Sequence, residues 1–233
     1  MTINDFIIEL NKIGINPTEK QLEDLNKYYE LLIEYYRVMN LTGITEKNQV
    51  YLKHFYDSLT IFKIIDLSNY ESFCDMGTGA GFPGLVIKIF YPNLHVTLID
   101  SLNKRINFLN EVIKKLKLDN IETIHARLED YGKNNREKYD IVTSRAVAQT
   151  NILLEYAAPM LKVNGSFICM KGSMDNENDY QNAANKLSMK EEKKIEFLLP
   201  YENSKRTIIL FKKIGATNKL FPRKNSDIIN KPL

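Results

Sequence analysis

Residues 72–100, SFCDMGTGAGFPGLVIKIFYPNLHVTLID, restrict the fold more than any other stretch of the chain. A short apolar run from Phe73 to Met76 breaks into glycines at Gly77, Gly79, Gly81 and Gly84. It resumes as an apolar, helix-like stretch from Leu85 to Tyr91. A second apolar run, Val96 to Ile99, closes on Asp100. The order strand, glycine turn, helix, strand, acid is that of a βαβ unit built to hold a nucleoside. Glycine lets the turn take positive φ and lets backbone approach a ligand. Pro83 suits the first helical position, where its missing N–H costs nothing. An acid at the end of the second strand stands where a ribose diol is held. Which nucleoside is left open here, because Gly79-x-Gly81-x-x-Gly84 also satisfies the dinucleotide pattern of a dehydrogenase.

Alternation continues around this unit. Strands are predicted at 71–76, 95–100, 121–126, 139–144 and 165–171, with helices at 83–91, 103–117, shortly after 127, and at 150–161. This pattern calls for a mostly parallel sheet with helices on both faces. Segments 191–199 and 206–214 have no helix between them, so they form a closing pair with an antiparallel final strand. Before the sheet, residues 1–66 read as an N-terminal helical extension. Thr18 and Gln21 fit a capping box, and Leu22, Leu25, Tyr29, Leu32 and Tyr36 recur at helical spacing. Residues 67–214 form the α/β domain. Residues 215–233, GATNKLFPRKNSDIINKPL, read as an extended basic tail.

Composition narrows the function classes. The net charge of +3 permits a nucleic-acid partner without demanding one. Cys74 and Cys169 fall in predicted strands and are read as core residues. The histidines, His54, His95 and His125, are too scattered for a metal site. No window is long and apolar enough to span a membrane, and the N-terminus lacks a basic, apolar leader. The expectation is a cytoplasmic monomer without a metal.

Open sheets bind ligands beyond the carboxyl ends of their strands. Those ends collect Gly77, Gly79, Asp100, Ser101, Leu128, Glu129, Arg145 and Lys171 into one expected cleft. Asp100 is assigned to the ribose hydroxyls, and Leu128 and Glu129 to the flanks of an adenine. Arg145 is read as a cation pointing into the cleft. His54, Asp57 and Ser58 share one helix face at i, i+3 and i+4. No nucleophilic triad is present.

Asn40-Leu41-Thr42, His54-x-x-Asp57-Ser58, the Asp75-to-Gly84 glycine run, Asp100-Ser101-x-x-Lys104-Arg105, Ser144-Arg145-Ala146, Lys171-Gly172 and Pro222-Arg223-Lys224 occur in that order. The set resembles the glucose-inhibited division protein B family, bacterial 16S ribosomal RNA guanine-N7 methyltransferases, from about residue 20 to the end. Ala80 departs from the proline or serine of many relatives. The resemblance implies a Rossmann-like methyltransferase fold and S-adenosylmethionine as cofactor. It implies 16S ribosomal RNA, or the assembling small ribosomal subunit, as partner. Carried over by position, it places cofactor contacts at Gly77, Phe82, Leu128, Glu129 and Arg145.

Guanine N7 has an in-plane lone pair and no proton, so direct in-line attack on a sulfonium methyl needs no general base. Alignment is then the main task of the protein. Asn40, His54 and Arg145 are expected on the guanine side. Lys104, Arg105, Arg127, Arg223 and Lys224 are candidates for RNA phosphates. An S-adenosylmethionine-dependent methyltransferase acting on a small molecule or a protein is the alternative.

Overall fold

The computed structural model of the protein describes residues 1–39, 43–145, 147–173 and 179–233. It opens with α1 (Ile3–Lys12) and α2 (Glu19–Met39). A continuous helical run follows, starting as α3 (Lys47–Val50). It loosens into a π segment (Tyr51–Tyr56), returns through α4 (Asp57–Leu59), and ends in a 3-10 turn (Thr60–Lys63). The capping box expected ahead of α2 is present. Thr18 N–H donates to Gln21 Oε1 at 2.8 Å, and Gln21 N–H to Thr18 Oγ1 at 3.2 Å.

The α/β part then runs β1 (Ser72–Met76), α5 (Gly84–Phe90), β2 (His95–Asp100), α6 (Asn103–Leu116), β3 (Ile121–His125), α7 (Leu128–Asn134) and β4 (Tyr139–Arg145). It continues through α8 (Thr150–Met160), β5 (Leu161–Lys171), α9 (Gln181–Lys186), β6 (Met189–Leu198), β7 (Lys205–Lys213) and α10 (Asn225–Asn230). The strands form one seven-stranded sheet in the order β3-β2-β1-β4-β5-β7-β6. β1 to β5 pair in parallel, and the final strand β7 runs antiparallel to both β5 and β6. The order reverses direction between β1 and β4. Crevices at such a reversal receive ligands, and here Gly77 follows β1 while Arg145 ends β4.

Side chains alternate between the two faces, as a strand period of 2 requires. Ile168 and Met170 of β5 and Ile208 and Leu210 of β7 join one core, together with buried residues of α1, α2, α5, α6 and the π segment. Phe167, Cys169, Ile209 and Phe211 join the other, with α8, α9 and Ile228 of α10. The N-terminal helices are therefore one layer of the sheet's covering. Cys74 and Cys169 are buried and unpaired with each other.

Residues 215–233 differ from the extended tail expected of them. Arg136 donates to the Thr217 and Phe221 carbonyls, each at 2.6 Å. Arg223 pairs with Glu155 at 2.7 Å, and Ile228 is buried. The sequence shows few apolar residues in this segment, but internal cations and one acid on α8 hold its backbone down.

Candidate active site

The glycine turn is shaped by close contacts. Gly81 has φ +103°, and a Cβ there would lie 2.5 Å from Tyr28 Oη. Tyr28 itself donates to the Ala80 carbonyl, so α2 is pinned to the turn. A Cβ on Gly84 would lie 2.8 Å from Asp75 Oδ2 and 2.5 Å from Leu98 Cδ2. Only glycine admits such approaches. Pro83 stands at the N-cap of α5, one residue before the helix begins. The next N–H, that of Gly84, donates to Asp75 Oδ2 at 2.8 Å, and Thr78 Oγ1 donates to the same oxygen at 2.7 Å. Asp75 Oδ1 is buried without a hydrogen-bond partner among the described residues. Burial pushes the Asp75 carboxyl up to about 6, against the pull of its Thr78 and Gly84 hydrogen bonds.

Asp100 ends β2 with its carboxylate turned back onto the turn. Oδ2 accepts from Gly79 N–H at 2.9 Å, and Oδ1 accepts from Leu102 N–H at 2.9 Å. Arg105 donates to Oδ2 at 3.1 Å, from a side chain 35% exposed. An ionised carboxylate offers about four acceptor sites, so the two backbone contacts leave capacity for a vicinal diol where Arg105 yields.

These groups line a cleft of about 570 Å³. Gly77, Gly79, Phe82, Asp100, Ser101, Leu128, Glu129, His54 and Arg145 all border it. Of the expected site residues, Asn40 lies outside the described residues, as do its motif neighbours Leu41 and Thr42 and Ala146 of the Arg145 motif. The volume is that of a drug-sized or nucleoside ligand site. Its donor set matches such a ligand: an acid at the diol position, apolar Leu128 and Ala126, and the buried Glu129. The residues present thus fit an adenosine-bearing cofactor.

The Arg145 end is assembled from separate elements. Its guanidinium, 14% exposed, donates to the Lys53 carbonyl at 3.1 Å and to Asp57 Oδ2 at 3.3 Å. Its other terminal nitrogen lies 3.4 Å from His54 Nδ1. Because a guanidinium only donates, Nδ1 is the acceptor and the imidazole is neutral. Burial and then the Arg145 charge push His54 down to about 3. His54 stacks on Phe82, with ring centroids 4.4 Å apart and planes 8° from parallel, and the Arg145 guanidinium lies 5.2 Å from the centre of the same ring. The π segment carries His54, and such segments recur at functional sites. Ser58, third member of the expected helix-face cluster, instead donates to the His54 carbonyl of its own helix.

A second cavity of about 330 Å³ lies across this wall. His54 and Arg145 border both spaces, and Lys53, Asp57, Lys171 and Arg206 border the second. Arg206, from β7, donates to Asp57 Oδ1 at 2.9 Å, so one carboxylate joins two guanidiniums. The sequence reading did not single out Arg206. It does carry a signal, since 206, 208 and 210 are in phase and Ile208 and Leu210 face the core. Tyr156, Asn225 and Ile229, at the cleft rim, were missed too. Two of the cations expected at RNA phosphates are engaged within the chain, Arg105 with Asp100 and Arg223 with Glu155.

A solved methyltransferase from Aquifex aeolicus, described as SAM dependent, superposes with TM-score 0.52 at 16% identity, covering 73% of this chain and 96% of that one. An M. jannaschii protein crystallised in complex with AdoMet gives TM-score 0.52 at 20% identity, over 62% of this chain and 70% of that one. These likenesses concern the fold. Fold and cleft together define a Rossmann-like α/β protein with a nucleoside-sized cleft where its strand order reverses. The chain belongs to the GidB family, described as rRNA small subunit methyltransferase G, which matches residues 21–209. It is 45% identical over 237 residues to the ribosomal RNA small subunit methyltransferase G of Exiguobacterium sp., with 100% of both chains covered. The corresponding protein of Bacillus licheniformis is 48% identical over 228 residues, covering 96% of this chain and 95% of that protein.

Proposed function

We propose that this protein methylates N7 of a specific guanine in 16S ribosomal RNA, acting as a cytoplasmic monomer on the RNA or the assembling small subunit. The observation that carries the reading is the wall of His54 and Arg145 shared by two cavities, with Phe82 stacked against it on the first side. One cavity has the acid and apolar surface suited to a nucleoside cofactor, and the other joins apolar Ile44, Met170 and Ile208 to polar groups of Arg145, Asp57 and Arg206, a lining suited to a base. S-adenosylmethionine supplies a methyl already activated on a sulfonium. In this reading Gly77, Gly79, Phe82, Asp100, Ser101, Leu128 and Glu129 bind the cofactor, and Arg145 serves both sides.

His54 and Arg145, with Asn40, orient the guanine. A His54 imidazole pushed down to about 3 takes up no proton near neutral pH, and guanine N7 has none to give. The Arg145 guanidinium is likewise a donor with no basic lone pair. Neither His54 nor Arg145 then serves as a general base, which favours a nucleophile such as N7 over an amine or hydroxyl, which must lose a proton. Residues 1–66 act as the RNA-facing extension, 67–214 as the cofactor domain and 215–233 as a C-terminal segment docked on that domain.

Nucleoside mass spectrometry of 16S RNA from cells with and without the gene tests the reaction. One 7-methylguanosine should vanish on deletion, return with the wild-type copy, and fail to return with an Asp100→Ala copy. An unchanged modification pattern would remove the RNA substrate and bring a small-molecule or protein acceptor forward.

A further inference from the structure

One part of the cleft rim is not built by the sheet and its crossover helices. Asn225 and Ile229, both on α10, border the cleft beside Leu128, Glu129 and Tyr156. α10 lies beyond the span 21–209 that the family matches. Ile228 is fully buried in the α8 core, while its neighbour Ile229 stays 49% exposed at the cleft. One helix turn thus anchors with one isoleucine and presents the next to the ligand space.

The segment is held firmly enough to serve as a wall. Arg223 grips Glu155 by two side-chain bonds, at 2.9 and 2.7 Å, and its backbone N–H adds a third at 2.9 Å. Glu155 is only 1% exposed, so this is a buried acid with all its partners on the tail. Arg223 also donates to the Lys231 carbonyl at 3.0 Å, which closes α10 back on its own start. Asn151 on α8 donates to the Leu233 carbonyl at 3.3 Å.

Tyr156 Oη donates to Asn225 Oδ1 at 2.8 Å. That bond orients the amide so that its Nδ2 hydrogens are the ones left for a ligand acceptor.

We infer that residues 215–233 form the adenine-facing wall of the cofactor cleft, with Asn225 as a hydrogen-bond donor to the purine edge and Ile229 as an apolar contact with the ring face. The inference rests on the assignment of S-adenosylmethionine to this cleft. The class of ligand follows from the neighbours. Leu128 and Ile229 supply apolar surface, and Asn225 and Glu129 a donor and an acceptor, the set that a purine face and edge require, with Arg127 also bordering the cleft. The tail is then part of the cofactor site rather than an RNA-binding arm.

The test uses the full chain without RNA. Calorimetric titration with S-adenosylhomocysteine, which has the same adenosine, is compared for wild type, Asn225→Ala and Ile229→Ala. Loss of one hydrogen bond or one apolar contact should weaken binding roughly 5- to 10-fold in each variant. The same ligand should slow trimming of the wild-type C-terminus by carboxypeptidase, because a ligand favours the docked state it contacts. Both side chains sit at the rim, so circular dichroism should show both variants folded. Equal affinity of all three proteins, with no protection from trimming, overturns the inference while leaving the cofactor assignment intact. Failure of the wild type itself to bind overturns both.

Discussion

The two ends of the cleft are held by different means. At the glycine turn, each carboxylate takes a backbone N–H from within the same βαβ unit. Asp75 takes an N–H 9 residues away and Asp100 one 21 residues away. At the Arg145 end, side chains hold side chains across the chain, Asp57 meeting Arg145 over 88 residues and Arg206 over 149. The first arrangement is folded locally by a βαβ unit. The second exists only once the π segment, α4, β4 and β7 have all packed. A backbone-built site should tolerate side-chain loss in folding while losing ligand affinity. A side-chain-built site should lose the fold's stability along with its geometry.

The largest expected effect tests that contrast at Asp57. Replacing it with alanine leaves two largely buried guanidiniums facing each other without their shared acid. Removing one partner of a buried ionic group costs about 3–5 kcal/mol, to be read from urea unfolding of the cofactor-free protein. Asp57→Asn, which keeps one hydrogen-bond acceptor, should recover part of the loss. A drop below about 1 kcal/mol, the range of surface pairs, would show that Arg145 is held by the Lys53 carbonyl and Phe82 instead.

Asp100→Ala is the counterpart at the backbone-built end. Loss of charge-assisted hydrogen bonds to a ribose should weaken S-adenosylhomocysteine binding by about 1.5–3 kcal/mol, or roughly 10- to 150-fold. The unfolding midpoint should move less than for Asp57→Ala, since Gly79 borders a cleft that water reaches and Leu102 is an exposed residue. If the Asp100 variant proved the less stable of the two, the contrast between the two ends would be reversed.

The same contrast explains what could be read in advance. Gly77, Gly79, Asp100, Leu128 and Glu129 were legible because strand ends are spaced by local periodicity, and a parallel sheet brings those ends together. His54 and Arg145 entered the expected site through family resemblance and strand-end position. Their mutual contact, and the role of Asp57 as a link, depend on pairings no local pattern encodes. Arg206 shows this most plainly. Its phase on β7 marks it as inward-facing, but nothing in the residues around it names Asp57 as its partner. The docked tail was hidden for a related reason. Its stability comes from Glu155 on α8 and Arg136 after α7, neither of which looks unusual in its own segment.

The smallest effect sharpens the comparison through pH. His54 in the folded protein is pushed down to about 3 from an ordinary 6.5, first by burial and then by Arg145. As pH falls below 6.5, the unfolded chain takes up a proton that the folded protein refuses, so this residue makes the fold less stable in acid. Asp75 has the opposite sign. Its carboxyl is pushed up to about 6 from 3.8, so as pH rises between those values the unfolded chain releases a proton that the fold retains, and stability falls. The two slopes oppose one another between about pH 4 and pH 6, and the wild-type profile blurs them. His54→Gln removes one and leaves the other. From pH 6 to pH 5, the unfolding free energy of wild type should fall by about 1 kcal/mol more than that of His54→Gln, close to the limit set by one proton per pH unit. Urea denaturation of both proteins at the two pH values measures this. Parallel profiles would mean that the imidazole is protonated in the folded state, and the Arg145 guanidinium would then have to point away from it.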